Sequence, residues 1–349
     1  MIPASDAKRI AAVAAVLLPL PLLVTAGGAT YQLRIFTLFV VFAAFTVALN
    51  VAFAHTDQLF LFLGALAGVG TYTTALLAQS VGISAWATLP IGALVAGTIG
   101  AIVSYVAARR GMTVIVLAIL TLSLQLAAME FFVGAREITG GSTGFPFDGL
   151  SVAPIADLVG LGERVAFAYV LVGVLLAALV GYSWLRASRW GAAFEAVRQD
   201  PVAAEAAGID AVRTKVFAGF LAAALVGMVG PLYAQAEGYV LPSTFAFQAV
   251  DVLVLVMLVL GGSRTLLGPV VGAGAVVFID ELLGEVGQWR TAALGALLIV
   301  LFLSFRQGIV PKARAIYDAR FGEDTNAGDD AADTSDTDED AADASGSGD

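Results

Sequence analysis

The chain has 349 residues, of which 59% are hydrophobic and 13% are charged, and its formal net charge is −10 at pH 7. Soluble domains carry roughly 25% charged residues, so this composition excludes an ordinary soluble domain and predicts a protein that crosses a membrane several times. The sequence has no cysteine and one histidine, His55, which excludes disulfides, thiolate nucleophiles and histidine-rich metal sites. Residues 321–349 contain eleven Asp or Glu and no Lys or Arg, and we expect this acidic tail to be disordered.

Ten apolar stretches predict membrane helices in residues 1–320, within a range of eight to ten because several are shorter than the roughly 20 residues of a straight span. The fold class is therefore an all-α polytopic membrane protein. The eighth and ninth stretches, which a glycine-rich break separates, are also compatible with a re-entrant hairpin. The predicted helices are Ile10–Ala26, Leu33–Ala54, Leu59–Gln79, Ala87–Ala108, Met112–Val133, Val165–Leu185, Val216–Gln235, Phe247–Leu260, Val270–Leu283 and Thr291–Phe305.

The distribution of basic residues predicts the orientation of these helices. With ten spans, Lys8, Arg9, Arg109, Arg110 and the arginines of residues 186–215 all fall on one side of the membrane. Loops rich in Lys and Arg stay in the cytoplasm, so both termini and residues 186–215 are predicted to be cytoplasmic. The protein is accordingly expected in the cell membrane as a multi-pass protein.

Residues 186–215 form the longest polar interruption between the apolar stretches, and we refer to them as the polar segment. Trp190, Phe194 and Val197 recur at helical spacing, which predicts a first short helix with one apolar face. Because membrane helices precede and follow it, the polar segment must lie outside the bilayer.

A second short helix is predicted within the polar segment. Asp200 and Pro201 form an N-cap followed by proline at the first helical position. Gly208 suits the left-handed conformation that ends many helices, and Asp210 can cap the next membrane helix. Two interpretations remain open: an ordered amphipathic element that docks into a groove of a partner, or a surface loop.

Few residues carry the chemistry that a catalyst or an ion-coupled transporter needs. None of the three lysines lies in a GxxxxGK[ST] motif, so no ATP site of that type is predicted in this chain. His55 suits a structural role better than a catalytic one. Asp251 and Glu130 lie in apolar stretches and are expected near the outer membrane surface, where an ionised carboxylate is less costly. No polar relay at mid-membrane is evident.

A glycine-rich loop and two amides are the candidates for a substrate pathway. The glycines allow close approach of the backbone, so the loop can hold the carboxylate of a small zwitterion through N–H groups; the alternative is a flexible outer turn. Two amide side chains flank the turn after the second predicted helix and need hydrogen-bond partners. The candidate residues are Asn50, Gln58, Thr139, Gly140, Gly141, Ser142 and Gly144.

Four stretches together resemble the permease subunits of branched-chain amino acid ABC importers, of the LivM type. They occur in the family's order as residues 48–77, 138–144 (ITGGSTG), 193–209 and 260–273 (LGGSRTLLGPVVGA). The combination is specific although each stretch alone is not. The sequence departs from the family pattern around His55, where a glycine-containing turn is replaced, so substrate contacts by the third helix are not carried over.

The resemblance implies an ABC importer permease bundle with several partners. In this family two permeases, commonly a heterodimer, form the pathway, two cytoplasmic ATPase subunits bind the ATP, and an external binding protein delivers the substrate. No cofactor is expected in this chain, and no nucleic acid. Residues 189–209 are the expected coupling region, with Glu205 to Gly208 at the family's EAA-G positions. The coupling residues are Phe194, Glu195, Arg198, Asp200, Glu205, Ala206, Ala207 and Gly208.

The sequence therefore predicts a permease for branched-chain or hydrophobic amino acids that is not an enzyme. Related permeases carry urea or short amides, so the substrate remains open. An ion-coupled secondary transporter is an alternative, and it would need no ATPase. A membrane enzyme or scaffold is a third, which the absence of cysteine and the single histidine disfavour.

Overall fold

A computed structural model describes residues 3–26, 30–147 and 149–283, together with residue 295 and residues 308–312. Two short strands, β1 (Phe145–Pro146) and β2 (Tyr239–Val240), pair antiparallel, and helices make up most of the rest. The helices are α1 (Ala4–Leu17), α2 (Leu20–Ala26), α3 (Thr30–Thr56), α4 (Leu63–Val81), α5 (Ala85–Arg109), α6 (Val114–Gly134), α7 (Arg136–Thr139), α8 (Ala153–Val159), α9 (Glu163–Ala187), α10 (Arg189–Gln199), α11 (Pro201–Ala206), α12 (Ala211–Glu237), α13 (Asp251–Gly261) and α14 (Gly268–Leu282).

The prediction of an all-α polytopic membrane protein is confirmed. The first predicted helix divides into α1 and α2, while α4, α13 and α14 fall short of a full apolar span. The predicted tenth helix, Thr291–Phe305, and the acidic tail lie outside the described residues. Within the described residues, six segments are long and apolar enough to cross a membrane: Ala4–Thr25, Tyr31–Thr56, Ala85–Arg109, Val114–Gly134, Glu163–Ala187 and Ala211–Glu237.

Helix α12 defines the two ends of the bundle. Its 27 residues follow the polar segment directly and end at Glu237, a length of about 40 Å at 1.5 Å per residue. We call the end that carries the polar segment the near side and the end at Glu237 the far side. Helix α3 runs in the opposite direction, because Arg34 in its second turn pairs with Glu237 at 2.9 Å.

Glycine lets three helices of the core approach each other closely. A Cβ added at Gly70 of α4 would lie 2.1 Å from the carbonyl oxygen of Gly227 in α12, and one at Gly92 of α5 would lie 2.6 Å from the carbonyl oxygen of Gly70. Helices in a bilayer gain no hydrophobic energy by associating, so close backbone packing of this kind supplies much of their attraction.

Two helices begin inside the bundle. The chain has no regular secondary structure from Asp57 to Phe62, and α4 starts only at Leu63. The carboxylate of Asp251, the first residue of α13, accepts the N–H groups of Leu63 at 2.5 Å and Gly64 at 3.2 Å. The N-termini of α4 and α13 therefore meet.

A glutamine of α6 completes this junction. Gln125 is fully buried; its side-chain oxygen accepts the N–H of Ala65 at 2.6 Å, and its nitrogen donates to the carbonyl of Phe245 at 2.8 Å. Asp251 and Gln125 thus bind three of the N–H groups that a helix start leaves without helical partners.

The expectation that Asp251 lies near the outer membrane surface is wrong. It is fully buried, and the opposite end of α13 leads to a loop that contacts α3 on the near side. Since the 11 residues of α13 measure only about 16 Å, Asp251 lies about half-way between the two sides. Helix α14 then returns to the far side, where Glu281 accepts a hydrogen bond from Tyr31 at 3.2 Å. Helices α13 and α14 form a hairpin whose tip contacts the end of α3 on the near side.

Replacing Asp251 by alanine is expected to lower the free energy of unfolding by about 1–3 kcal/mol, because the N–H groups of Leu63 and Gly64 would be buried without partners. Asp251→Asn, which keeps one acceptor oxygen, should fall in between. The measurement is the midpoint of thermal unfolding in detergent. Asp157→Ala, in the exposed part of α8, is the control, and equal midpoints for the two alanine variants would contradict the capping role.

Candidate functional site

The polar segment folds as two short helices, as the apolar spacing of the first and the capping residues of the second predict. Ser188 caps α10 by accepting the N–H of Trp190 at 3.2 Å. Asp200 caps α11 by accepting the N–H groups of Val202 at 2.8 Å and Ala203 at 3.1 Å. The structure therefore has an ordered element here and not an irregular loop.

The exit from the polar segment also follows the prediction. Gly208 has a φ of +84°, a conformation that side chains other than glycine rarely adopt. Asp210 accepts the N–H of Arg213 at 2.8 Å and so caps α12. Only residues 207–210 separate α11 from α12, which with 27 residues is as long as α3. A displacement of α11 therefore reaches α12 through a short connection.

Aromatic side chains attach α10 to the membrane helices. Phe194 is 1% exposed, and its ring stacks on that of Phe217 in α12 with centroids 6.4 Å apart. Trp190 lies even closer to Phe217, at 4.3 Å. Phe194 was predicted among the coupling residues, and the structure shows its contribution to be the internal attachment of α10, since its ring does not reach the surface.

The outer surface of the segment belongs to α11. Four of the predicted coupling residues, Glu205, Ala206, Ala207 and Gly208, are exposed there. Val202, which the sequence gave no reason to select, is 77% exposed on the same short helix. Small apolar side chains next to a carboxylate form a shallow surface that a partner can cover without displacing bulky groups.

Three polar side chains of α10 meet at Glu195. Glu195 accepts hydrogen bonds from Arg198 at 2.6 Å and from Gln199 at 2.9 Å. These bonds, that from Arg198 foremost, lower the pKa of Glu195 from 4.5 to about 2, and the bond with Glu195 raises the pKa of Arg198. Both groups are therefore charged at neutral pH and link neighbouring turns of the helix.

Asn50 lies behind the polar segment in a buried network. Its side-chain oxygen accepts the backbone N–H of Arg264 at 3.0 Å, and its nitrogen donates to the Tyr182 hydroxyl at 3.0 Å and to the Thr265 carbonyl at 3.2 Å. The Tyr182 hydroxyl lies 2.7 Å from Nε2 of His55. All three elements involved, α3, α9 and the tip of the α13–α14 hairpin, are thereby joined on the near side.

The hairpin tip depends on this network. Arg264 has a φ of +68°, a left-handed conformation that costs a residue with a side chain about 1 kcal/mol or more. Its backbone N–H binds Asn50, and its Nε donates to the carbonyl of Ala54 at 3.2 Å. The amide predicted to need partners thus holds the hairpin tip against the end of α3.

Gln58 also lies on the near side. Its amide nitrogen donates to the Thr56 hydroxyl and to the carbonyl of Lys215, each at 2.8 Å. The amide oxygen is buried and has no hydrogen-bond partner among the described residues. Gln58 therefore connects the irregular segment that follows α3 to the first turns of α12.

The glycine-rich loop lies at the far side, because β1 directly follows it and pairs with β2 beyond the end of α12. Its N–H groups are mostly used internally: Gly140 binds the carbonyl of Arg136, Gly141 binds the Thr139 hydroxyl, and Gly144 binds the carbonyl of Gly141. Ser142 is exposed. The described structure thus does not bring this loop together with Asn50 and Gln58, so the proposed pathway residues form two separate groups.

Several residues of the near-side network were not found from the sequence. Tyr182, Arg264 and Phe217 come from three distant stretches, and nothing in their local sequence marks them as partners. The one signal available was the glycine-rich break between the eighth and ninth predicted helices, which contains Arg264. It indicates a turn but not the side chain that the turn binds.

These features define a class of protein: a polytopic helical membrane protein with broken helices and an ordered surface element that joins several of them. Residues 31–305 match the model of the family described as branched-chain amino acid transport system / permease component. The match covers most of the chain, and the protein belongs to this family of permeases.

Curated relatives agree with this assignment. The chain is 30% identical over 305 residues to the high-affinity branched-chain amino acid transport system permease protein LivM of Escherichia coli K12, covering 80% of this chain and 69% of the relative. It is 29% identical over 321 residues to LivM of Salmonella typhimurium, covering 84% and 72%. A probable branched-chain amino acid transport permease protein LivH of Methanocaldococcus jannaschii is 29% identical over 229 residues, covering 63% and 69%. No solved structure matches the chain.

Truncating Phe194 to alanine is expected to loosen the polar segment from the bundle, since loss of a buried aromatic side chain costs about 3–5 kcal/mol. Amide hydrogen exchange over residues 189–209 should become faster, while exchange in α5 stays unchanged. Val202→Ala removes an exposed side chain from the same segment and is the control. Unaltered exchange in Phe194→Ala would show that the ring does not attach α10.

Proposed function

We propose that this protein is the membrane permease of an ABC importer for branched-chain or other hydrophobic amino acids, and that partner ATPases drive it through residues 189–209. The observation that carries the proposal is the ordered polar segment, whose exposed α11 face is attached to α12 through caps and aromatic contacts. Membership in the permease family supports the substrate class. In this proposal ATP binds to the partner subunits, and the chain itself performs no covalent chemistry.

Two cytoplasmic ATPases would dock on the permease pair, one on the α11 surface of each subunit. Closure of the ATPases around ATP would push this surface, and the stacking of Phe194 on Phe217 carries the motion to α12. Since Gly227 of α12 packs closely against Gly70 of α4 and Ala96 of α5, α12 would move both helices with it. The positive-inside distribution supports a cytoplasmic near side.

The near-side network extends the motion to the hairpin. Asn50 and Tyr182 connect α3 and α9 to the tip at Arg264. Asp251, at the other end of α13, is bound to the start of α4. A push on the near side therefore reaches the middle of the bundle through two hydrogen-bonded junctions, and this arrangement suits a pathway that opens to one side at a time.

In this proposal a second permease subunit forms a heterodimer with this chain, as in the family, and completes the pathway. An external binding protein would deliver the substrate at the far side. The amino-acid substrate class is supported by the relatives, whose names state branched-chain amino acid transport.

The double variant Glu205→Ala/Gly208→Val is expected to abolish ATP-driven leucine uptake in proteoliposomes while insertion and folding stay intact. The variant removes the exposed carboxylate of Glu205, and valine strains the left-handed backbone conformation of position 208, where α11 ends. A matched control is Glu137→Ala/Gly160→Val on the far side, because Gly160 has a φ of +69° and both glycines face open space. Full uptake by the Glu205/Gly208 variant would remove the coupling proposal, and uptake driven by an ion gradient without ATPases would favour a secondary transporter.

Orientation can be measured directly, because the chain has no native cysteine. In intact cells a membrane-impermeant thiol reagent should not label Glu205→Cys, which lies on the near side, but should label Ser142→Cys on the far side. After permeabilisation both should react. Labelling of Glu205→Cys from outside would invert the orientation and with it the docking of cytoplasmic ATPases.

A further inference from the structure

A cavity of about 650 Å³ opens at the far side, between the start of α3, the start of α9 and the end of α12. This volume is within the range of pockets that hold small molecules. No residue predicted from the sequence lines it. The site is therefore independent of both the polar segment and the glycine-rich loop.

Charges of both signs surround the mouth of this cavity. Arg34 and Arg164 supply two cations, and Glu163 and Glu237 supply two anions. Arg34 and Glu237 form an ion pair at 2.9 Å in which the Arg34 side chain is 55% exposed. An exposed ion pair of this kind contributes little to stability. Each side chain can therefore leave its partner and bind a ligand at a small cost in free energy.

The floor of the cavity is apolar. Leu33, Leu150, Val152 and Phe167 line it and are buried. Gln235 also lines it, and its side-chain oxygen accepts the N–H of Leu150 at 3.3 Å, which fixes the edge of the floor. A ligand that fits has a hydrocarbon part for the floor and opposite charges for the mouth.

Arg34 has a second contact surface across α3. Tyr31 and Arg34 also line a smaller cavity of about 270 Å³, which extends between α3 and the α13–α14 hairpin to Phe42 and Met257. Met257 is buried in the core of the bundle. Arg34 thus lines both cavities, and the lining of the smaller one combines Asp280 and Glu281 with apolar side chains.

We propose that the outer cavity is a binding site for a zwitterionic α-amino acid with an apolar side chain, in which Arg34 binds the carboxylate and Glu237 the ammonium group. This inference rests on the proposed function, and it narrows the substrate class. A guanidinium matches the planar geometry of a carboxylate. Urea and short amides carry neither charge, so they cannot replace either partner of the Arg34–Glu237 ion pair.

The test measures protection of a thiol. Ser151 is exposed and lines the cavity, so Ser151→Cys in the full importer, reconstituted in nanodiscs without the binding protein, gives a reactive group at the site. With L-leucine at about twice a millimolar-range Kd, modification by a charged thiol reagent should slow about threefold, following 1 + [L]/Kd. Leucinamide, isovalerate and urea each lack at least one charge and should not protect.

Two controls accompany this measurement. Ser80→Cys, exposed at the end of α4 and outside the cavity, should react at the same rate with and without leucine. Protection at position 151 should disappear in Arg34→Gln but persist in Arg136→Gln, which removes an exposed arginine of the same side. Because analogues are compared on the unaltered Arg34 background, the test stands even if Arg34→Gln folds poorly.

The outcomes separate the two proposals. Equal rates with and without leucine, in an importer that still takes up leucine, would overturn the cavity site and leave the transport function in place. Equal protection by urea would overturn zwitterion selectivity. Protection only after addition of the binding protein would identify the cavity as a docking surface for that protein and overturn the ligand site. Loss of both protection and leucine uptake would overturn both proposals.

Discussion

The structure depends on how backbone N–H groups are satisfied inside a bundle that water does not reach. A helix that starts within the membrane exposes N–H groups that lipid cannot bind, and leaving them without partners destabilises the fold. In this chain the carboxylate of Asp251 and the amide of Gln125 bind the start of α4. With these two side chains in place, α4 and α13 can be short, and the bundle gains an internal junction.

Polar contacts also join the helices on the near side. Asn50 uses both ends of its amide to join α3, α9 and the hairpin tip. The polar segment adds aromatic packing of Phe194 on Phe217 and caps by Asp200 and Asp210. The bundle thus has one polar junction on the near side and one at mid-depth, and helix α13 connects them. A force on either junction acts on whole helices.

What the sequence revealed depended on the range of the interactions. Asp200, Pro201 and Gly208 act on residues within one turn, so the second helix of the polar segment could be predicted with its ends, and the first by the spacing of its apolar residues. Asp251 binds a residue 188 positions away, and no local pattern indicates such a contact; its position at the start of an apolar stretch suggested the membrane surface instead. The outer cavity was missed for the same reason, because α3, α9 and α12 each contribute only a few of its residues.

The short helix α13 has a consequence for biosynthesis. Its 11 residues cannot cross the bilayer, which requires about 20, so hydrophobicity alone cannot fix its depth during insertion. The groups that Asp251 binds belong to α4, which leaves the ribosome much earlier. The start of α4 is therefore already made when α13 emerges, and its N–H groups offer the partner that sets the depth of the hairpin.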